Sequence, residues 1–170
     1  VKGGYVDERR LDEAVTNLME CRMKLGMFEE EGSVPFDAIG YEQVDTAENK
    51  SLNLEVSRKS LVLLRNQDHL LPLDLTKVKS IGVIGPNADS RKALVGNYEG
   101  TASRYVTVLE GIEDYAGEGV RVYYSEGCNL YQDRTSNLAQ ANDRMSEVKA
   151  VCSVSDVIVA VLGLDSSIEG

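Results

Sequence analysis

The chain has 170 residues, of which 42% are apolar, and a formal net charge of −10. This composition excludes a disordered tail, and the acidity argues against nonspecific nucleic-acid binding, which needs clustered Lys and Arg. No apolar run reaches the ~20 residues that span a bilayer, and no secretory leader is visible. Because the chain starts at Val1 and not at Met, we expect a segment of a longer protein. The location of that protein, whether secreted or periplasmic, stays open.

The cysteines and the histidine carry no signature of metal binding or nucleophilic catalysis. Cys21, Cys128 and Cys152 are odd in number and lack CxxC spacing, which argues against a disulfide framework or a zinc site. Cys152 lies in an apolar run and is predicted to be a small core residue. Cys128 follows a predicted strand, and the sequence is compatible with a place in the core or on the wall of a site. His69, the single histidine, lies in a predicted loop, so we predict no metal and no cofactor.

The first predicted element is a helix that begins after Asp7, a good N-cap, and ends at Gly26. Residues 29–43 are acidic, contain Gly and Pro, and read as a linker. We therefore assign the helix to a different structural unit from the rest of the chain. Its apolar stripe at helical spacing consists of Leu11, Val15, Leu18, Met19 and Leu25.

A second helix is predicted from Thr46 to about Lys59, followed by a short apolar, strand-like run at Leu61–Leu64. From Lys79 onward, apolar runs alternate with helical patterns. This alternation predicts an α/β fold with a parallel sheet that is covered on both faces, in Rossmann-like layers. The predicted strands are Ile81–Ile84, Val120–Tyr124 and Val157–Leu162, and the predicted helices are Ser90–Val95, Thr107–Tyr115 and Ser136–Ser153.

All three predicted strands end in glycine-containing loops: Gly85-Pro86-Asn87, Ser125-Glu126-Gly127 and Gly163–Gly170. In a parallel sheet these loops share the carboxyl edge, which is the expected ligand-binding face. A nucleotide site is one reading of such an edge. The first loop, however, contains Pro86, which lacks an N–H, and the chain has neither GxGxxG there nor a GxxxxGK[ST] motif.

Two loops contain candidate site residues. The segment Gly96–Gly100 is either a plain turn or a carbohydrate-facing loop, in which Asn97 and Tyr98 would bind a sugar. In the last loop, Asp165 and Glu169 are either solvated carboxylates or candidates for a general acid. Glycoside hydrolysis needs two carboxyl groups, and no second member of such a pair is identifiable in this chain.

Five segments, taken in order and spacing, resemble glycoside hydrolase family 3, which contains β-glucosidases and β-xylosidases. The last of them is most similar to the β-xylosidase branch. In addition, the segment from Arg22 to Phe28 resembles the end of the barrel domain of that family. The five segments are Arg58–Asn66, Leu70–Leu73, Ile81–Ala88, Gly96–Gly100 and Gly163–Gly170.

The resemblance implies a TIM-type barrel followed by an α/β sandwich domain. It assigns residues 1–28 to the last barrel helix, 29–45 to a linker and 46–170 to the first half of the C-terminal sandwich domain. The implied activity is retaining, exo-acting hydrolysis of terminal β-linked sugars from plant-type oligosaccharides. The implied partner is an oligosaccharide or glycoside bound jointly with the barrel, with no nucleic acid and no membrane.

The resemblance also implies where the catalytic groups lie. The nucleophile would be an aspartate of the barrel, upstream of Val1. The acid/base would be a glutamate directly after Gly170, and Glu169 takes that role if the alignment is shifted by two residues. We therefore expect the isolated chain to be inactive. The alternatives are a non-catalytic carbohydrate-binding or interaction module on the same scaffold, or a nucleotide-binding Rossmann-like domain.

Overall fold

The computed structural model describes residues 2–98, 100–130 and 144–168, and the chain divides into two units, Val1–Ser60 and Leu61–Gly170. Each unit is described by itself below. The assignment of residues 1–28 to a barrel and of 29–45 to a linker stays a prediction.

The first unit contains two helices, α1 at Glu8–Lys24 and α2 at Ala47–Ser60. As predicted, the carboxylate of Asp7 caps α1 by accepting the Arg9 N–H at 3.1 Å. Two short 3₁₀ turns, Pro35–Ala38 and Tyr41–Gln43, lie between the helices. None of the described residues of this unit is buried, and Leu18, at the middle of the apolar stripe, is 50% exposed.

The second unit contains a three-stranded sheet in the order β2-β1-β3, with β1 at Ser80–Ile84, β2 at Arg121–Ser125 and β3 at Val157–Ala160. Both pairings are parallel, and the register places Ile81 opposite Val122 on one side and Val157 on the other. The predicted α/β fold with a parallel sheet is therefore confirmed.

Two helices accompany the sheet, α3 at Val108–Ala116 and α4 at Met145–Val154. α3 begins with a capping box: the Thr107 hydroxyl accepts the Glu110 N–H at 3.2 Å, and the Glu110 carboxylate accepts the Thr107 N–H at 2.9 Å. The predicted helix Ser136–Ser153 is described only from Met145, since residues 136–143 lie outside the described residues. The predicted helix at 90–95 is a 3₁₀ turn, Lys92–Leu94.

The core of the second unit lies around the central strand. Val83 is fully buried, and α4 approaches β1 closely at Gly82. A Cβ at Gly82 would lie 2.7 Å from both Ile158 Cδ1 and Val151 Cγ1, so a larger residue here would force these side chains to shift. The buried apolar cluster consists of Ile81, Val83, Ala88, Leu109 and Val120.

Two predictions about local environment are wrong. Leu61–Leu64 forms no strand, and these side chains are 63–91% exposed. The apolar run has no neighbouring strand to pair with among the described residues. Cys152 is exposed on α4 and does not join the core. It follows the buried Val151, and one step along a helix turns the side chain by about 100°, toward solvent.

Candidate functional site at the carboxyl edge of the sheet

The three loops that follow the strands meet at the carboxyl edge, as predicted from their order. Parallel pairing continues past β1 on both sides: the Gly85 N–H donates to the Ser125 carbonyl at 3.1 Å, and the Val161 N–H donates to the Ile84 carbonyl at 2.7 Å. The loops after β2 and β3 therefore both begin beside the loop after β1.

Two glycines allow the loops after β1 and β3 to approach each other closely. Gly85 has φ +118°, and a Cβ there would clash with the backbone carbonyl of Val161. A Cβ at Gly163 would lie 3.1 Å from Asn87 Nδ2, tighter than ordinary van der Waals contact. The loop after β3 thus rests on the loop after β1 at two places.

The loop after β1 does not resemble a phosphate cradle. Pro86 has no N–H, and the Ala88 N–H is already bonded to the Gly85 carbonyl at 3.2 Å. The row of successive amides by which a helix N-terminus holds phosphate is therefore interrupted. The next side chain, Asp89, accepts the Thr107 hydroxyl at 3.0 Å and joins this loop to the start of α3.

The loop after β2 is tied to α4 by charged and polar contacts. Glu126 forms an ion pair with Arg144, and the Ser125 hydroxyl lies 3.5 Å from Glu147 Oε2. The last strand residue but one, Tyr124, has its pKa raised by partial burial and by the negative charge of Glu126. Cys128 is exposed just beyond this loop.

The loop after β3 contains a tight turn at Asp165–Ile168. Asp165 is 9% exposed, and its Oδ1 accepts the Ser167 N–H at 2.8 Å together with the Ser167 hydroxyl. The Asp165 carbonyl also accepts the Ile168 N–H at 3.1 Å. Glu169, the predicted catalytic candidate of this chain, lies outside the described residues.

The two predicted sugar-binding residues, Asn97 and Tyr98, lie in the segment between β1 and α3, after the turn Lys92–Leu94. Both side chains are exposed, and Tyr98 is 99% exposed. Their exposure leaves them accessible to a ligand, and their role in binding stays a prediction.

Sequence reasoning did not anticipate several contacts that shape this edge. The Thr107–Glu110 capping box was readable, because a Thr-x-x-Glu pattern stands directly before an apolar helical run. The Glu126–Arg144 ion pair was not, since the two residues are 18 positions apart and neither belongs to a motif.

Within residues 2–98, 100–130 and 144–168, no group of three or more His, Cys, Asp and Glu side chains is arranged to hold a metal ion. In the same ranges, no helix has both the length and the apolar character needed to cross a membrane.

A parallel sheet with glycine-bearing loops along its carboxyl edge defines an α/β domain, and in open α/β sheets this edge is where ligands generally bind. Comparison with known proteins identifies the family. Residues 61–170 match the model described as the glycosyl hydrolase family 3 C-terminal domain. This match covers well over half of the chain, and the chain belongs to glycosyl hydrolase family 3.

Among named relatives, beta-xylosidase/alpha-L-arabinofuranosidase 1 of Medicago sativa subsp. varia is 34% identical over 170 residues, which are 99% of this chain and 20% of the relative. Beta-D-xylosidase 3 of Arabidopsis thaliana is 33% identical over the same shares. The chain thus spans about one fifth of the length of these relatives.

Solved structures agree. A family 3 exo-beta-xylosidase in complex with a xylobiose aziridine activity-based probe superposes with a TM-score of 0.81 at 28% identity, over 99% of this chain and 20% of that chain. A beta-glucosidase from Listeria innocua in complex with glucose gives a TM-score of 0.69 at 28% identity, over 99% of this chain and 21% of that chain. Both the fold and the family resemblance predicted from the sequence are confirmed.

Proposed function

We propose that this chain is part of a retaining, exo-acting β-glycosidase of the β-xylosidase type, which removes terminal β-linked sugars from plant-type oligosaccharides. One observation carries the proposal: identity of 34% and 33% to two plant proteins named as β-xylosidases extends over 99% of the chain. The similarity therefore includes the segments before the matched domain as well as the domain itself.

The chemistry of a retaining glycosidase needs two carboxyl groups about 5–5.5 Å apart. In the first step a carboxylate attacks the anomeric carbon while the carboxylic acid donates its proton to the glycosidic oxygen. The bond between the anomeric carbon and the glycosidic oxygen breaks, and a glycosyl ester forms. In the second step the same acid, now a carboxylate, takes a proton from water. As it loses this proton, the water oxygen attacks the anomeric carbon of the glycosyl ester, and the bond from that carbon to the nucleophilic carboxylate breaks.

We assign the acid/base side of this pair to the loop after β3 and the nucleophile to a barrel domain that precedes Val1. The geometry supports the first assignment because this loop leaves the sheet at the edge where α/β domains bind ligands. Within the chain Glu169 is the candidate acid/base, and the family resemblance favours the position directly after Gly170. Asn97 and Tyr98 supply an amide and an aromatic face suited to sugar hydroxyls and rings.

The first experiment measures hydrolysis of 4-nitrophenyl β-D-xyloside by the purified 170-residue chain. No release of 4-nitrophenol above buffer is expected, because a single carboxyl group cannot complete the two-step reaction. Hydrolysis that copurifies with the chain and disappears in a Glu169→Gln variant would contradict this expectation and place the acid/base at Glu169.

The second experiment uses the full-length protein that contains this chain. It should hydrolyse the same xyloside, and NMR should show the β-anomer of xylose as the first product, as retention requires. A full-length protein that binds xylo-oligosaccharides without cleaving them would instead support the non-catalytic binding module.

A further inference from the structure

The turn at Asp165–Ile168 lies between the end of β3 and the proposed acid/base position. We infer that Asp165 is a positioning residue, which fixes the direction in which the chain leaves the sheet toward the acid/base glutamate. The inference rests on the proposed function and adds to it a residue that acts without touching the substrate.

The hydrogen bonds of Asp165 include three that come from the residues following it in the chain. Its Oδ1 accepts the Ser167 N–H at 2.8 Å and the Ser167 hydroxyl, and its carbonyl accepts the Ile168 N–H at 3.1 Å. These bonds set the backbone direction at positions 167 and 168. Consecutive Cα atoms are ~3.8 Å apart. An acid/base at position 169 would follow this turn by one residue, and one directly after Gly170 would follow it by three residues.

The segment that precedes the turn is held in place by contacts with the loop after β1. Upstream of the turn, the Val161 N–H bonds to the Ile84 carbonyl at 2.7 Å, and the Val161 carbonyl packs against Gly85. Gly163 packs under the side chain of Asn87, which is half-buried. Asp165 is also almost completely buried, at 9% exposure. Contacts with the loop after β1 therefore hold the start of the loop after β3 in place. The hydrogen bonds of Asp165 then orient the backbone of the residues that follow.

Position matters here because a general acid must come within ~2.6–3.2 Å of the oxygen it protonates. A displacement of ~1 Å can lower the rate about 100-fold. The loss depends on the leaving group. A sugar can leave only when the general acid protonates the glycosidic oxygen. In contrast, 2,4-dinitrophenolate is a stable anion and leaves without protonation. A misplaced acid thus slows the first reaction and spares the second.

The main test compares Asp165→Ala with wild type in the full-length protein, using kcat/KM, which reports the glycosylation step. For xylobiose we expect kcat/KM to fall about 10- to 100-fold, and for 2,4-dinitrophenyl β-D-xyloside less than about 3-fold. Asp165→Asn keeps the Oδ1 acceptor and should restore most of the xylobiose activity. Equal losses on both substrates, or no loss on either, would overturn the inference.

Asp156→Ala is the matched control. Asp156 also accepts two backbone N–H groups, those of Lys79 at 2.8 Å and Ser80 at 3.0 Å, but it lies at the amino edge of the sheet. Its loss should lower stability and leave the ratio of the two kcat/KM values unchanged. A changed ratio in this variant would show that the ratio reports general destabilisation, which would overturn the assignment to Asp165.

A second measurement separates failure of the inference from failure of the proposed function. In the 170-residue chain, NMR hydrogen exchange should show the Ser167 and Ile168 amides protected in wild type and in Asp165→Asn, and Ser167 less protected in Asp165→Ala. Unprotected amides in wild type would refute the turn and the inference, whatever the enzyme does. Full-length wild-type protein that cleaves neither substrate would refute the proposed function, and the catalytic part of the inference with it.

Discussion

Both units of this chain contain α-helices, but among the described residues only the second unit has buried ones. In residues 2–60, α1 has a capped start and a clear apolar stripe, and none of its residues is buried. In the second unit, the five-residue strand β1 has four buried residues. The difference shows that an amphipathic pattern specifies a surface suited to burial, whereas burial itself needs a partner.

β1 has such partners on three sides. It hydrogen bonds to β2 and to β3, and α4 packs against it at Gly82. A helix in a protein, by contrast, gains most of its stability from packing of its apolar face, and no residue of the 17-residue helix α1 is buried. We therefore expect the stability of the chain to reside in the second unit, and three substitutions test this expectation from the largest effect to the smallest.

The largest effect is expected for Val83→Ala at the centre of β1. The substitution removes two buried methyl groups from a fully buried position and leaves a cavity, which should lower the free energy of unfolding by about 2 kcal/mol. The measurement is hydrogen exchange of the β1 amides in urea. Val15→Ala in α1, where the side chain is 44% exposed, is the matched control and should change this free energy by less than about 0.5 kcal/mol. Equal losses would mean that α1 belongs to the same cooperative unit.

A smaller effect is expected for the helix caps. Thr107→Ala removes the capping hydroxyl of α3 and its bond to Asp89, and should cost about 1 kcal/mol in the same measurement. Asp7→Ala removes the cap of α1, whose helix contributes no buried residue. This variant should reduce helical content by circular dichroism and leave exchange of the β1 amides unchanged. Exchange of the β1 amides that is unchanged or slower in Thr107→Ala would refute the role assigned to the capping box.

The smallest effect is a pH dependence that arises at Asp156. Hydrogen bonds from the Lys79 and Ser80 backbone lower the pKa of its carboxyl below the ordinary value of 3.8. The folded state therefore binds fewer protons than the unfolded state, so this contribution is complete above pH 3.8 and is lost as pH falls through the lowered pKa.

Urea unfolding between about pH 2 and 6 measures this contribution, within the range where carboxyl groups titrate. Wild type should lose stability on acidification more steeply than Asp156→Asn. A residual slope is expected from Asp74 and Glu110, whose pKa values are also lowered, mainly by hydrogen bonds. Asp12→Asn removes one negative charge from α1 and is the control for the loss of a charge. Its stability should fall with pH as steeply as that of wild type. Parallel curves for wild type and Asp156→Asn would contradict the prediction.

The amino-acid sequence by itself determined the elements whose signals are local. The β-rich run Ile81–Ile84, the Asp7 cap of α1 and the Thr107–Glu110 capping box each lie within a few residues, and each formed where its pattern indicates. The order of strands and helices then predicted a parallel sheet, and several motifs in sequence identified the family.

The tertiary structure alone decided which apolar segments are covered and which loops touch. Leu61–Leu64 has the composition of a buried strand but no partner strand among the described residues, so its side chains stay exposed. The approach of Gly85 to Val161 and the Glu126–Arg144 ion pair join residues far apart in the chain. Helical periodicity and capping depend on neighbours a few residues away, whereas burial, strand pairing and the geometry of a site depend on what the rest of the chain brings alongside.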